Sequence, residues 1–431
     1  MKNILKTAVI PIVAALVACV VLFLVALIPQ SAIQKNASVA AGELVSQPQW
    51  PTVLNTGDPT YRMDNYTDSQ IMMQSYNLNI SNPRSVLTNP KHISDSDGNN
   101  MAYALDEVVN GGADNEISYV RYWMGFRIFV RPLMLFGSYF TIRKIAAFVF
   151  YFLMMMALIA VAKTVDVKTA LCFGVSLILV NPAIISQSLQ FSCTFMLVFL
   201  FVLYICIRCN RMNAVFAFCI FGVLTQFFDF YTTPIVTFGI PVLIYLVATR
   251  ETQKPIWIAL KTFFAWIYGY VMMWFMKLLL VTMFTDINGF QDGFHRFAER
   301  TGILAAPGSQ DSYSAVGALK AVCHTVFQEV AVRYVFIVVS IMALTCIAVI
   351  WIKQKSAGFL HACPLLLVGI LPLVWFMVAA EATSIHAWFQ YRSVAVSFMV
   401  LFLLILQTVS AIKGGLGSHP PDCLDREQIP D

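Results

Sequence analysis

Charged side chains are scarce in this sequence: Asp, Glu, Lys and Arg make up 12% of the 431 residues, whereas hydrophobic residues make up 59%. Soluble domains carry about a quarter charged residues, so this composition excludes a soluble protein. Apolar runs long enough to cross about 30 Å of hydrocarbon, at about 1.5 Å per residue, recur along the chain. The sequence therefore predicts an all-α polytopic membrane protein.

Several common site motifs are also missing. The sequence has no Gly-rich phosphate loop, no His-Glu-x-x-His zinc helix and no Gly-x-Ser-x-Gly elbow. Its basic residues form no patch with interleaved aromatics, so no nucleic acid partner is expected. Of the ten cysteines, only Cys323 lies in a large predicted outer loop, which argues against a disulfide framework. An enzyme outside the membrane would therefore take its activated substrate from a lipid, because nucleotide sugars and ATP are cytoplasmic.

The apolar runs predict about ten transmembrane helices. The first is interpreted as an uncleaved span and not a signal peptide, because its apolar stretch exceeds the usual length. If successive spans alternate in direction, the short loops that lie inside carry Lys and Arg. This pattern puts both termini on the cytoplasmic side of a bacterial cell membrane. The predicted spans are residues 7–29, 144–162, 169–182, 192–207, 212–228, 234–249, 256–283, 333–352, 363–380 and 393–412.

This topology leaves two large loops outside the membrane. The larger, about residues 30–120, holds ten of the 23 Asp and Glu residues of the chain. The predicted organisation is a first transmembrane helix (1–29), an extracytoplasmic loop with an interfacial helix (30–143), transmembrane helices two to seven (144–283), a second extracytoplasmic loop (284–332), transmembrane helices eight to ten (333–412) and a cytoplasmic tail (413–431).

The predicted interfacial helix lies within residues 118–144, where arginines alternate with aromatic residues. In such a helix the rings lie at headgroup level and guanidinium groups lie among phosphates, so Arg127 and Arg131 are candidate phosphate ligands. The alternative is a helix that only anchors the second span, which would explain the aromatics alone.

Asp64 and Asp68 are the candidate catalytic carboxylates of the large loop. A carboxylate near the membrane surface can accept a proton from an attacking hydroxyl or orient a metal. In the alternative interpretation they have structural roles, and Asp68 caps a helix that starts at Ser69. The cluster from His92 to Asp97 is more typical of a solvated turn than of a calcium loop.

Two short outer connections carry further candidates. Asp229 is a lone carboxylate in an aromatic hairpin tip, where it could bind substrate or simply cap the sixth span. The connection between the last two spans brings together a carboxylate, an imidazole, a phenol and a guanidinium. An arginine suits a phosphate because it presents a planar fork of donors. These candidates are Glu381, His386, Tyr391 and Arg392.

The overall pattern resembles the GT-C class of integral-membrane glycosyltransferases. The segments beginning at Tyr119, Asp229 and His386 resemble stretches of a poorly characterised group of bacterial multi-span proteins of that shape. The resemblance implies a polyprenyl-phosphate sugar donor, an outer-surface acceptor, inversion at the anomeric carbon and a loop carboxylate as base or metal ligand. It leaves open whether a divalent metal takes part.

The expected function is transfer of a sugar to a glycan, lipid or wall polymer of the cell envelope. Asp64 or Asp68 would activate the acceptor, while Arg131 and Arg392, with His386, would hold the departing phosphate. A transporter or flippase of lipid-linked glycans is the alternative, and it predicts internal repeats and mid-span charges that the sequence does not show. A non-catalytic scaffold would leave the outer charged clusters without a role.

Overall fold

The computed structural model describes residues 2–54, 58–94, 100–111, 116–209, 211–249, 255–304, 313–328 and 330–413. The described chain is helical almost throughout, which confirms the all-α class. Its named strands are β1 (Lys91–His92) and β2 (Glu116–Ile117), an antiparallel pair in which Lys91 faces Ile117. The predicted tail beyond residue 413 lies outside the described residues.

The helices of the N-terminal third are mostly short. They are α1 (Lys2–Ala26), α2 (Gln30–Val45), α3 (Asn65–Tyr76), α4 (Ser85–Thr88), α5 (Met101–Asn110) and α6 (Arg127–Leu133). The remaining helices are α7 (Tyr139–Thr164), α8 (Val167–Ile178), α9 (Pro182–Ser186), α10 (Leu189–Arg208), α11 (Ala214–Phe228), α12 (Val236–Thr249), α13 (Pro255–Phe284), α14 (Gly289–Arg300), α15 (Ala315–Val326), α16 (Val330–Val378), α17 (Ala380–Gln390) and α18 (Ala395–Lys413).

Among the described residues, five segments are long and apolar enough to cross a membrane, which indicates a membrane protein. They are Lys6–Ala26, Tyr139–Thr164, Leu189–Arg208, Pro255–Phe284 and Ala380–Val409. The predicted spans at 169–182, 212–228, 234–249 and 363–380 correspond to shorter apolar helices of 10–17 residues.

The structure differs from the predicted topology near Lys353 and Lys355. The sequence predicts a cytoplasmic turn there, between separate spans at 333–352 and 363–380, whereas the described backbone forms the single helix α16. The residues at the expected turn are Lys, Gln, Lys, Ser and Ala, which all tolerate a helical backbone. The first proline that follows, Pro364, lies inside the same helix.

The first large loop folds into a helical domain, here called the first-loop domain and defined as residues 30–138. Helices α2, α3 and α5 pack around a buried apolar core that includes Ile33, Leu44, Ile71 and Leu105. The same core contains Tyr139 at the start of α7, so the domain is docked on the membrane helices. This docking brings its polar residues against the helix ends.

Among the membrane helices, α11 and α13 approach each other most closely at two glycines. A Cβ atom at Gly222 would collide with the carbonyl oxygen of Trp266, and one at Gly269 would collide with that of Cys219. Small residues let helix backbones approach in this way, and close packing is a main source of helix association in lipid. The α11–α13 pair therefore supports the face of α13 that contacts the first-loop domain.

Candidate functional site

A cavity of about 290 Å³ lies where the first-loop domain meets the ends of the membrane helices. Its lining combines polar side chains from the first-loop domain and the helical body with apolar side chains of the helical body. The lining residues are Asp58, Thr60 and Tyr61 of the first-loop domain, and Ile178, Leu179, Asn181, Thr325, Val326, Tyr391 and Phe398 of the helical body.

The first-loop side of this cavity is a short 3-10 turn, Pro59–Tyr61, that is capped by Asp58. Asp58 Oδ1 accepts the backbone N–H of Thr60 at 2.8 Å, and Asp58 is only 3% exposed. An Asp followed by Pro initiates turns because the carboxylate bonds the backbone two residues on and Pro fixes φ. The turn thereby holds a carboxylate at the wall of the cavity.

On the membrane side, Arg392 lies in a 3-10 turn, Tyr391–Val394, and its side chain is completely buried. Its Nη2 is 3.4 Å from Thr60 O and its Nη1 is 3.5 Å from Trp388 O, both longer than an ordinary N–H···O hydrogen bond. Its Nε has no hydrogen-bond partner among the described residues. The guanidinium lies 4.6 Å from the centroid of the Phe191 ring. Arg392 therefore retains donor capacity beside the cavity.

The three other candidates near Arg392 have different surroundings. Tyr391 lines the cavity and donates to Val180 O at 3.3 Å. His386 stacks on Phe389 with ring centroids 5.0 Å apart, and its φ of −117° and ψ of 28° interrupt α17. Glu381 Oε2 is 3.9 Å from Arg300 Nη1. Of these three, only Tyr391 belongs to the cavity lining.

Asp64 is the N-cap of α3. Its carboxylate accepts the Thr67 N–H at 3.0 Å and the Thr67 hydroxyl at 2.6 Å. Burial raises the pKa of Asp64, and the positive charge of Arg392 acts in the opposite direction. Asp64 is therefore electrostatically coupled to Arg392, although it is not among the residues that line the cavity.

Asp68 links three elements. It is fully buried, and its carboxylate accepts the Tyr139 hydroxyl at 2.9 Å, the Ser188 hydroxyl at 3.3 Å and the Leu189 N–H at 3.1 Å. Burial raises its pKa to about 7. The interpretation of Asp68 as the cap of a helix starting at Ser69 is wrong, because α3 begins at Asn65. Asp68 instead binds the first N–H of α10, and its acceptors are occupied.

Asp229 stabilises the hairpin tip between α11 and α12. It accepts the hydroxyls of Thr194 and Thr232, each at 3.0 Å, and the Thr232 N–H at 3.1 Å. Burial raises the pKa of Asp229 to about 6. This arrangement fits the structural alternative for Asp229 better than the substrate-binding one, because three donors already occupy the carboxylate.

Arg127 and Arg131 are both completely buried, so their predicted exposure among lipid phosphates is wrong. Helix α6 has only seven residues and packs against α3 and α1. Arg131 donates to three carbonyl oxygens, those of Ser75, Tyr76 and Ile28, at 2.5–2.8 Å. Arg127 donates to the carbonyl oxygens of Ser85, Val86, Trp123 and Met124.

A third buried cation follows the same pattern. Lys277 of α13 is fully buried and donates to Leu87 O at 2.8 Å. Carbonyl groups at the last turn of a helix lack an intrahelical partner and carry partial negative charge. The three cations satisfy such carbonyls near the ends of α1, α3 and α4. Arg127 does so within the first-loop domain, whereas Arg131 and Lys277 join that domain to the end of α1 and to α13.

The described residues contain no group of three or more His, Cys, Asp or Glu side chains arranged to hold a metal ion. The sequence had also missed most of the cavity wall. Asp58 was not among the predicted site residues, and the Asp58-Pro59 pair is the local signal that could have identified its turn. Asn181, Thr325 and Thr60 carry no comparable signal. Comparisons with protein-family models, curated proteins and solved structures found no significant match to this chain.

Proposed function

We propose that the chain is a membrane glycosyltransferase that moves a sugar from a polyprenyl-phosphate donor to an envelope glycan, lipid or wall polymer on the outer face of a bacterial membrane. The observation that supports it best is the cavity between the first-loop domain and the helix ends. There a buried carboxylate of the loop, Asp58, lies in the same wall as Tyr391, next to the buried Arg392.

Asp58 is the proposed general base, in place of Asp64 and Asp68. Asp58 lines the cavity, whereas Asp64 and Asp68 do not. Asp58 removes the proton of the acceptor hydroxyl as that oxygen forms a bond to the anomeric carbon. The bond between this carbon and the phosphate oxygen breaks from the opposite side, so the configuration inverts.

Arg392 is the proposed partner of the departing phosphate. Negative charge grows on the phosphate as the glycosidic bond breaks, and a preorganised guanidinium in a site shielded from water stabilises that charge strongly. The unpaired Nε and the long contacts of Nη1 and Nη2 leave donors for phosphate oxygens. Asp64 is a positioning residue that keeps Arg392 oriented through its negative charge.

The position of the cavity favours an enzyme over a flippase. Transporters hold their substrate near the middle of the membrane, between repeats of the fold. Here the turn at Pro59–Tyr61 lines one side of the cavity. The other side is lined by the ends of α8 and α15 that face the first-loop domain.

The test is sugar transfer by the purified protein in lipid nanodiscs. Undecaprenyl phosphates that carry radiolabelled hexoses or pentoses are offered with envelope fractions as acceptor, and loss of label from the lipid is measured. Asp58→Asn should reduce turnover about 10²–10⁴-fold, the usual range for a general base. The control is Arg84→Lys, since the Arg84 side chain is 58% exposed at the surface.

Two results would contradict parts of this proposal. If Asp58→Asn transfers sugar at the parent rate while Asp64→Asn does not, the base is Asp64. If no donor loses its label to any acceptor, yet the protein carries intact lipid-linked sugar across the bilayer of a proteoliposome, the chain is a flippase.

A further inference from the structure

Helix α14 in the second large loop has one aromatic side and one charged side. Phe290, Phe294 and Phe297 follow a spacing of four and three residues and so lie along one face of the helix. Phe294 and Phe297 are 53% and 51% exposed. Exposing two large aromatic side chains next to each other in water is unfavourable, because apolar surface is stabilised by removal from water.

The aromatic side of α14 continues the apolar surface of α13. Phe290 contacts Phe275 with ring centroids 5.1 Å apart, and Phe294 contacts Trp274 at 5.5 Å. Phe275 belongs to the candidate membrane span Pro255–Phe284 and is itself 39% exposed. Lipid must cover the exposed side chains of that span, so the same lipid reaches the aromatic side of α14.

Two glycines hold α14 against α13 in this position. A Cβ atom at Gly289 would lie 2.6 Å from Leu278 O, and one at Gly293 would lie 2.7 Å from a methyl carbon of Leu278. The contact with the backbone oxygen is not tolerated, so a larger residue at Gly289 would push α14 away from α13, whereas one at Gly293 would require the Leu278 side chain to shift. The close approach keeps the aromatic side level with Trp274 and Phe275.

The charged side of α14 is neutralised within the protein. Asp292 lies 3.8 Å from Arg121, Arg296 lies 2.7 Å from Glu299, and Arg300 lies 3.9 Å from Glu381. An interfacial helix that depends on anionic lipid carries unpaired Lys or Arg on its polar side. Charge attraction to headgroups is therefore a minor factor for α14.

We propose that α14 is an in-plane membrane helix that inserts Phe294 and Phe297 among the lipids of the leaflet on the first-loop side. The helix is followed by two further exposed apolar residues, Ile303 and Leu304, which extend the same lipid contact. The sequence had assigned an interfacial helix to residues 118–144. In α6, which lies within that range, Arg127 and Arg131 are buried and Phe129 is 54% exposed. This proposal does not rest on glycosyl transfer.

The test uses a genetically encoded photo-crosslinker in the intact protein. p-Benzoylphenylalanine replaces Phe294, Phe297 or, as the control, His295, whose side chain is 58% exposed but lies on the charged side. The protein is reconstituted with tritiated phosphatidylcholine, either alone or mixed with phosphatidylglycerol, and irradiated. Labelled lipid should attach to the chain from positions 294 and 297 at least several-fold more than from 295, and equally in both lipid mixtures.

Three results would overturn the proposal. Equal lipid labelling from all three positions would mean that the aromatic side has no special contact with lipid. A crosslinked dimer of the chain formed from position 294 or 297 would show that a second copy covers this side. Labelling that requires phosphatidylglycerol would show that charge, and not the aromatic side, brings α14 to the membrane.

Discussion

Arg131 and Arg392 are both buried arginines, yet their guanidinium groups are used differently. The terminal nitrogens of Arg131 donate to three carbonyl oxygens at 2.5–2.8 Å. Those of Arg392 make only long contacts with carbonyl oxygens. The Nε of each arginine lacks a hydrogen-bond partner among the described residues, so the two differ in their terminal nitrogens. Those of Arg131 stabilise the fold, whereas those of Arg392 can bind a ligand. The two residues therefore provide a direct comparison between a structural and a functional arginine.

We expect Arg131→Lys to lower stability without changing sugar transfer per folded molecule. A lysine keeps the charge but cannot reach three carbonyl oxygens, and each buried carbonyl left unsatisfied costs about 1–3 kcal/mol. Arg392→Lys should do the reverse, lowering transfer strongly with a small change in stability. Thermal unfolding midpoints and transfer rates of both variants provide the measurement. Transfer lost in Arg131→Lys at an unchanged midpoint would restore its predicted phosphate role.

Asp68 should make the stability of the protein depend on pH. Its folded pKa of about 7 lies above the ordinary value of 3.8, so between these values the folded chain binds more protons than the unfolded chain. The contribution of the protonated form is complete below pH 4 and is lost as the pH rises through about 7. The parent should therefore unfold at a higher temperature at pH 5 than at pH 8.

Asp68→Asn should reduce this difference, because an amide does not titrate. Each unit of pKa shift corresponds to about 1.4 kcal/mol. The comparison is the change in unfolding midpoint between pH 5 and pH 8, with Asp286→Asn as control because the Asp286 side chain is 85% exposed. An identical pH dependence in parent and Asp68→Asn would show that Asp68 titrates normally.

At the scale of helices, the contact between α11 and α13 depends on two missing side chains. Gly269→Ala should destabilise the protein, because the new methyl group would meet Cys219 O on the facing helix. Gly42→Ala in α2 is a matched control, since a Cβ atom there has no atom within 4 Å. The control should be neutral or more stable by up to about 1 kcal/mol, the helix-propensity difference between Gly and Ala. Thermal unfolding in detergent distinguishes them, and equal midpoints for the two variants would contradict the close packing.

The helical class and the five long apolar helices were predictable because they depend on local runs of apolar residues. The roles of buried polar residues were not, because their partners come from distant elements. Asp68 binds Leu189, 121 positions away, and Arg131 binds Ser75, 56 positions away. A local pattern can identify an N-cap such as Asp64, which accepts the N–H of Thr67. It cannot show which N–H group of a distant helix will lie against a carboxylate. The predicted turn after residue 352 failed for a related reason, since helix-tolerant residues do not mark an end.

The candidate site also combines residues that a local pattern predicts with residues that only distant contacts bring together. Arg392 and Tyr391 were predicted because the short connection that carries them is rich in polar and aromatic groups. The cavity itself joins Asp58 to residues near positions 180, 325 and 391. Only the docking of the first-loop domain brings these segments together, so no local pattern could reveal Asn181 or Thr325 as part of the wall.

For the whole molecule, the predicted orientation can be tested with cysteines at exposed positions. In a Cys323→Ser background, Ser81→Cys in the first-loop domain should react with a membrane-impermeant maleimide added to intact cells. Lys168→Cys, in the first turn of α8, should react only after the membrane is opened. Both positions are exposed in the structure. Labelling of Lys168→Cys in intact cells would reverse the orientation and place the cavity in the cytoplasm.

The attachment of Lys277 to Leu87 also has a consequence for biosynthesis. These residues are 190 positions apart. Trp123 likewise donates a hydrogen bond to the carbonyl of Met273, which is synthesised 150 positions later. Ribosomes add about 5–20 residues per second, so the loop around Leu87 is made roughly 10–40 s before its lysine exists. During that interval the first-loop domain exposes unsatisfied carbonyls, so this is the stage at which a chaperone or a protease would act on it.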